Sequence, residues 1–181
     1  MKAFIGEIID PVKIFYRMRN KGEKAFIIFI PIFMGILCFG IGMLVPGSEE
    51  ITMLSFTNDI LSQFITIITL FISFTMGYLT IIISSSSENI ERLKETDSKN
   101  ISDEEGKPYK LYQILTTEIT YTIIVDIFFL TICVIEKFLV FYLNVVLLKT
   151  FCSKNVIIFS NILILMLVTV KNIYYSFWRP D

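Results

Sequence analysis

The sequence predicts an all-α, polytopic membrane protein with four transmembrane helices and both termini in the cytoplasm. Three observations carry that expectation. Hydrophobic residues make up 54% of the 181-residue chain and charged residues only 18%, against roughly 25% in a soluble domain. Apolar runs of about twenty residues, the length that crosses a hydrocarbon layer of roughly 30 Å, recur along the chain. Lys and Arg collect on the flanks that a four-span topology places in the cytoplasm.

Residues 1–24 carry Lys2, Lys13, Arg17, Arg19, Lys21 and Lys24 and form a cytoplasmic segment. Phe4, Ile8, Val12 and Phe15 recur there at helical spacing, which fits a helix in the headgroup layer, interrupted at Pro11. A plain positive flank of the first span accounts for the same residues. The first span is Ala25 to Val45, a retained anchor without a cleavage site. Its Pro31, Gly35, Cys38 and Gly42 make a small-residue stripe suited to close helix packing, with a kink at Pro31. Pro46 to Asn58 hold no basic residue and belong outside.

The second span runs from Ile60 to Ser84, closing the membrane region 25–84. Residues 85–110 are a cytoplasmic stalk and loop with Arg92, Lys94, Lys99, Lys107 and Lys110. The helix is expected to continue to Glu95, helped by a Glu88 to Arg92 pair four residues apart, before an unstructured turn from Asp97 to Pro108. Residues 111–181 hold the last two spans and an apolar segment between them. Leu111 to Leu148 as one helix would be about 57 Å long, too long for one crossing. Glu136 and Lys137 divide it into a third span, Tyr112 to Ile135, and a remainder, Phe138 to Leu148, that extends, re-enters or lies at the interface. A five-span arrangement needs that remainder to cross on about eleven apolar residues. The fourth span is Val156 to Tyr175, where Tyr174, Tyr175, Phe177 and Trp178 make an interfacial aromatic belt.

Two polar faces stand out. On the second span Asp59, Ser62, Thr66, Thr69, Ser73, Gly77, Thr80 and Ser84 fall within roughly 80° at 100° per residue. Such a stripe either packs helices closely through small side chains and hydroxyls or, repeated around an axis, lines a wetted pore. On the third span Glu118, Thr122, Asp126, Cys133 and Glu136 share a face of similar width. An ionised Asp at mid-membrane costs on the order of 2.5 to 3.5 kcal/mol, so this face must meet protein or water. It attracts cations along a path, acts as a protonation switch, or is satisfied by neighbouring helices. Depth matching pairs Glu118 with Lys171 and Asp126 with Asn161.

Composition removes other classes of function. The chain has no His, so imidazole-based nucleophile pairs and zinc-protease sites are absent. Three cysteines without CxxC spacing indicate neither disulfide framework nor zinc ribbon. No nucleotide or calcium motif occurs, so neither catalysis, cofactor nor metal is expected. A net charge of −1 gives no field for direct genomic DNA binding.

The second span FITIITLFISFTMGYLTIIISSSS, the stalk ENIERLKE and the acidic helix LYQILTTEITYTIIVDIFF resemble the small four-span membrane subunits of bacterial anti-phage defence systems. The membrane effector of the Hailong system and the membrane subunit of Kiwa are examples. The first resemblance implies a homo-oligomeric ion channel of the inner membrane, opened by an oligonucleotide signal. The second implies an oligomeric sensor that signals to a cytoplasmic DNA-binding partner. Two readings therefore stand. In one, a homo-oligomer conducts ions along the hydroxyl stripe, with Asp59 or Asp126 favouring cations and Arg92 and Lys94 receiving the gating input. In the other, a non-conducting anchor docks a soluble protein through its N-terminal segment, including Arg17 and Arg19, and its stalk. A holin-like or exclusion protein is a third class.

Overall fold

The computed structural model describes residues 2–44, 50–102 and 105–178. The 45–49 stretch, residues 103–104 and the side chains of Lys2, Phe4, Ile8, Lys99, Tyr175, Phe177 and Trp178 lie outside the described residues. Six helices dominate: α1 Lys2–Arg17, α2 Lys21–Leu44, α3 Glu50–Ser84, α4 Glu88–Glu95, α5 Leu111–Leu139 and α6 Val145–Trp178. A hairpin of β1 Asp97–Ser102 and β2 Pro108–Lys110 separates α4 from α5. Among the described residues, three helices are long and apolar enough to span a membrane: α2, α3 from Met53 and α6 to Tyr174. α5 is as long as these but carries the buried acids. The contacts divide into two compact units, Met1–Lys24, Phe74–Ile124 and Leu165–Asp181 in the first, and Ala25–Ser73 with Val125–Ile164 in the second.

In the first unit, Ile82 of α3, Ile90 and Leu93 of α4, and Leu115, Ile119 and Ile123 of α5 form one buried cluster. The expected continuous stalk is therefore corrected: α3 stops at Ser84, and α4 lays Ile90 and Leu93 back on α3 and α5. Serine hydroxyls compete for nearby backbone groups, and Ser85 Oγ accepts from the Ser87 amide at 3.2 Å where the helix breaks. The Glu88 to Arg92 pair does not form; Arg92 donates to Asn89 Oδ1 at 3.3 Å. The segment expected to be unstructured is the hairpin. Gly106, at φ 81°, supplies its turn. At its base Lys110 Nζ lies 2.7 Å from Asp97 and 2.9 Å from the Glu95 carbonyl. Pro11 does not interrupt α1, which loses one amide donor there and continues. Its last turn is held by Phe15, stacked on Tyr121 of α5 at 4.1 Å.

In the second unit α2 and α6 run antiparallel in close contact. A Cβ on Gly35 would collide with the Ile157 side chain, which is why that position must be glycine for the helices to approach this far. Ser153 Oγ donates to the Gly35 carbonyl at 2.5 Å, and Asn161 Nδ2 to the Ile27 carbonyl at 2.9 Å. Ile27 is four residues before Pro31, so its carbonyl is the one whose helical partner the proline ring removes. Asn161 replaces that missing amide from the neighbouring helix. The stripe on α2 thus packs at Pro31 and Gly35, whereas Gly42 has nothing within 4 Å.

Glu136 and Lys137 do not divide α5, which continues to Leu139. A short 3-10 turn, Val140–Tyr142, leads to Asn144, whose Oδ1 accepts from the Leu147 amide at 3.0 Å and caps α6. The apolar remainder is therefore the corner of a helical hairpin and the first turn of α6, which begins well before Val156.

Asn161→Leu is expected to destabilise the protein by about 1–2 kcal/mol, because it strands the Ile27 carbonyl in an apolar contact. Pro31→Ala restores an amide to that carbonyl, and in its background Asn161→Leu is expected to cost less than half as much. Unfolding midpoints of the four proteins in detergent measure the coupling.

Candidate functional site

The acidic face of α5 is buried as its spacing predicts: Glu118, Thr122, Asp126, Cys133 and Glu136 are all shielded. Their partners differ from those expected. Glu118, in the first unit, does not pair with Lys171, which is exposed. It meets the Arg19 guanidinium, and Asn172 Nδ2 lies 2.8 and 2.6 Å from its two oxygens. One position along α6 turns the side chain by about 100°, enough to exchange a lysine at the surface for an amide facing inward. Thr122 bonds the Glu118 carbonyl at 2.9 Å and sits 3.5 Å from the Thr169 hydroxyl of α6.

In the second unit Glu136 receives Lys154 and, at 2.6 Å, Asn155 Nδ2, both from α6. Neighbouring Lys137 donates to Ser62 Oγ of α3 at 2.9 Å. Charges that look like the end of a span in sequence are met by polar groups on adjacent helices. Asp126 does not pair with Asn161, whose amide is committed to Ile27. Both Asp126 carboxyl oxygens are buried without a hydrogen-bond partner.

The hydroxyl face of α3 has the opposite character. Asp59, Thr66, Thr69, Ser73, Gly77, Thr80 and Ser84 are exposed and Ser62 half-buried. The buried positions Thr57, Leu61, Ile68, Thr75 and Ile82 centre roughly 160° away at 100° per residue. The stripe therefore faces away from the buried side of α3, and half-buried Ser62 is where it meets α5 through Lys137. Its hydroxyls are satisfied locally: Ser62, Thr66, Thr69, Ser73, Thr80 and Ser84 each donate to the carbonyl four, residues earlier, at 2.7 to 3.0 Å. Nothing lies within 4 Å of a Cβ built on Gly77.

No family model matches the chain, and no curated protein or solved structure is similar to it. The surface cations fall into two groups. Arg17 is exposed at the end of α1, while Arg19, expected to be free for a partner, is buried against Glu118. Lys94 lies 5.3 Å from the Tyr112 ring centroid, and Arg92 is tied to Asn89. Among the described residues no group of His, Cys, Asp or Glu is arranged to hold a metal ion. Cys133 and Cys152 are buried free thiols, Cys152 lying 3.5 Å from the Thr57 hydroxyl. Sequence reasoning missed Arg19, Lys154, Asn155 and Asn172 as the partners of the acids. The helical phase of Asn172, one residue from Lys171, is the one signal that pointed to any of them.

Glu118→Leu is expected to lose about 3–5 kcal/mol, since it breaks a buried ion pair and leaves Arg19 only the more distant Glu23 carboxylate. Asp126→Leu is expected to gain about 1–3 kcal/mol by removing two unpartnered oxygens. Thermal unfolding in detergent reads both, and the opposite signs are the discriminating result.

Proposed function

We propose that this protein is a homo-oligomeric ion channel of the bacterial inner membrane, with α5 as a fourth crossing helix and both termini in the cytoplasm. The observation that carries the reading is the outward hydroxyl face of α3, exposed at Asp59 and from Thr66 to Ser84. The outward residues of α2 include Phe26, Phe29, Phe33, Ile36 and Leu44, a surface made for lipid. The α3 face lies between exposed Phe74, Ile81 and Leu70 on one side and Met76 and Ile83 on the other. A polar band bounded by apolar flanks suits several copies arranged around an axis, each contributing one α3.

One chain supplies too few helices to enclose a wetted path. In the assembly Asp59 stands at the outer mouth and enriches cations there. Thr and Ser oxygens along the band replace part of an ion's water shell. Opening depolarises the cell, the outcome that the anti-phage resemblance implies, and the signal arrives from a cytoplasmic partner or oligonucleotide at the α4 and hairpin surface. Asp126 is too enclosed to touch permeating ions in this state.

Purified protein in liposomes is expected to pass monovalent cations. Joint replacement of Thr66, Thr69 and Ser73 by Leu is expected to cut the flux by about tenfold or more while leaving the unfolding midpoint in place, because these side chains are outside the core. Asp59→Asn is expected to lower the preference for cations over anions. Liposomes that stay tight with assembled protein under every trigger, together with co-purification of a soluble partner that survives the Leu replacements, would establish the anchoring role instead.

A further inference from the structure

We infer that α1 is a releasable arm, latched by Arg19 on Glu118 and freed when Arg19 exchanges that partner for Glu23. Four observations converge. First, the latch is a buried ion pair, with side-chain exposures of 6% for Arg19 and 2% for Glu118. Pairs of this kind contribute little net stability because both charges lose their water, and their best-attested use is in registry and switching. Second, the latched state is imperfect for the arginine: Arg19 Nε is buried without a partner. Glu118, by contrast, keeps the Asn172 amide when Arg19 leaves.

Third, an alternative carboxylate is already at hand. Glu23 on the first turn of α2 lies 4.0 Å from Arg19 Nη1 and is 38% exposed, so the guanidinium can rotate to a wetter partner. Fourth, a joint exists at which the arm can move. Asn20 and Glu23 cap α2 reciprocally, the Glu23 amide donating to Asn20 Oδ1 at 2.8 Å and the Asn20 amide to Glu23 Oε2 at 3.3 Å. α2 therefore begins with its own cap, and α1 can swing about Met18 to Asn20 without unwinding it. Aromatic contacts add to the hold: Phe15 stacks on Tyr121, the Arg19 guanidinium lies 4.8 Å from the Phe15 ring centroid, and the Tyr121 hydroxyl donates to Tyr16 at 3.2 Å.

The released arm exposes Met18, buried when latched. Its consequence for conduction, coupling the cytoplasmic segment to α5, rests on the channel reading; its existence does not. The test places Met18→Cys in the full chain in nanodiscs and follows labelling by a charged maleimide, with peptide mass spectrometry locating the label so that the native thiols stay. Glu118→Gln and, separately, Tyr121→Ala are expected to raise the labelling rate by about tenfold, and the exchange of charges in Arg19→Glu with Glu118→Arg to return it towards the parent. Unchanged labelling in folded Glu118→Gln and Tyr121→Ala proteins overturns the arm. Glu23→Gln is expected to lower the labelling of the parent, and a rise there overturns the exchange. Ion flux from the same samples separates the two ideas: faster labelling in a protein that never conducts supports the arm and removes the channel.

Discussion

Three of these helices are long and apolar enough to cross a membrane, a setting in which each polar group must be answered by another group of the protein. The acids of α5 show how much of the structure follows from that. Glu118 draws in Arg19 from the link between α1 and α2 and Asn172 from α6, and Glu136 draws in Lys154 and Asn155. The same rule governs the backbone, where Asn161 answers the carbonyl that Pro31 leaves open. Asp126 departs from it with both carboxyl oxygens, which are buried on this face without a partner.

α3 obeys the rule in a different way on each side. Its inner positions pack by size, with Leu61, Ile68 and Ile82 fully enclosed. Its outer hydroxyls each bond a carbonyl of their own helix, so they reach the surface with their donors already used. Oxygen lone pairs remain, and these are what a cation or a neighbouring helix would meet. The contrast with the aromatic outer face of α2 sets the chemistry of α3 apart from an all-apolar helix surface.

Much of this was legible in the sequence, because hydropathy and helical phase are local properties. Three apolar helices, the buried face from Glu118 to Glu136 and the small-residue contact at Gly35 all follow from spacing alone. The partners of the acids were not legible, since Arg19 is separated from Glu118 by 99 residues and looks like any other cytoplasmic cation. Glu136 and Lys137 misled for the same reason: a charged pair marks a helix end only when nothing nearby satisfies it, and Lys154, Asn155 and Ser62 do. The serine run by itself predicts continuing helix, because the burial of Ile90 and Leu93, which rewards folding back, is a tertiary effect.

The contact between Asn161 and the Ile27 carbonyl has a consequence in time as well as in space. The two residues are 134 positions apart, which at translation rates of about 5–20 residues per second is roughly 7 to 27 seconds of synthesis. During that interval α2 carries an open carbonyl whose partner has not been made. α2 is completed by α6, so the Ile27 carbonyl depends on a transient partner such as water until Asn161 is made.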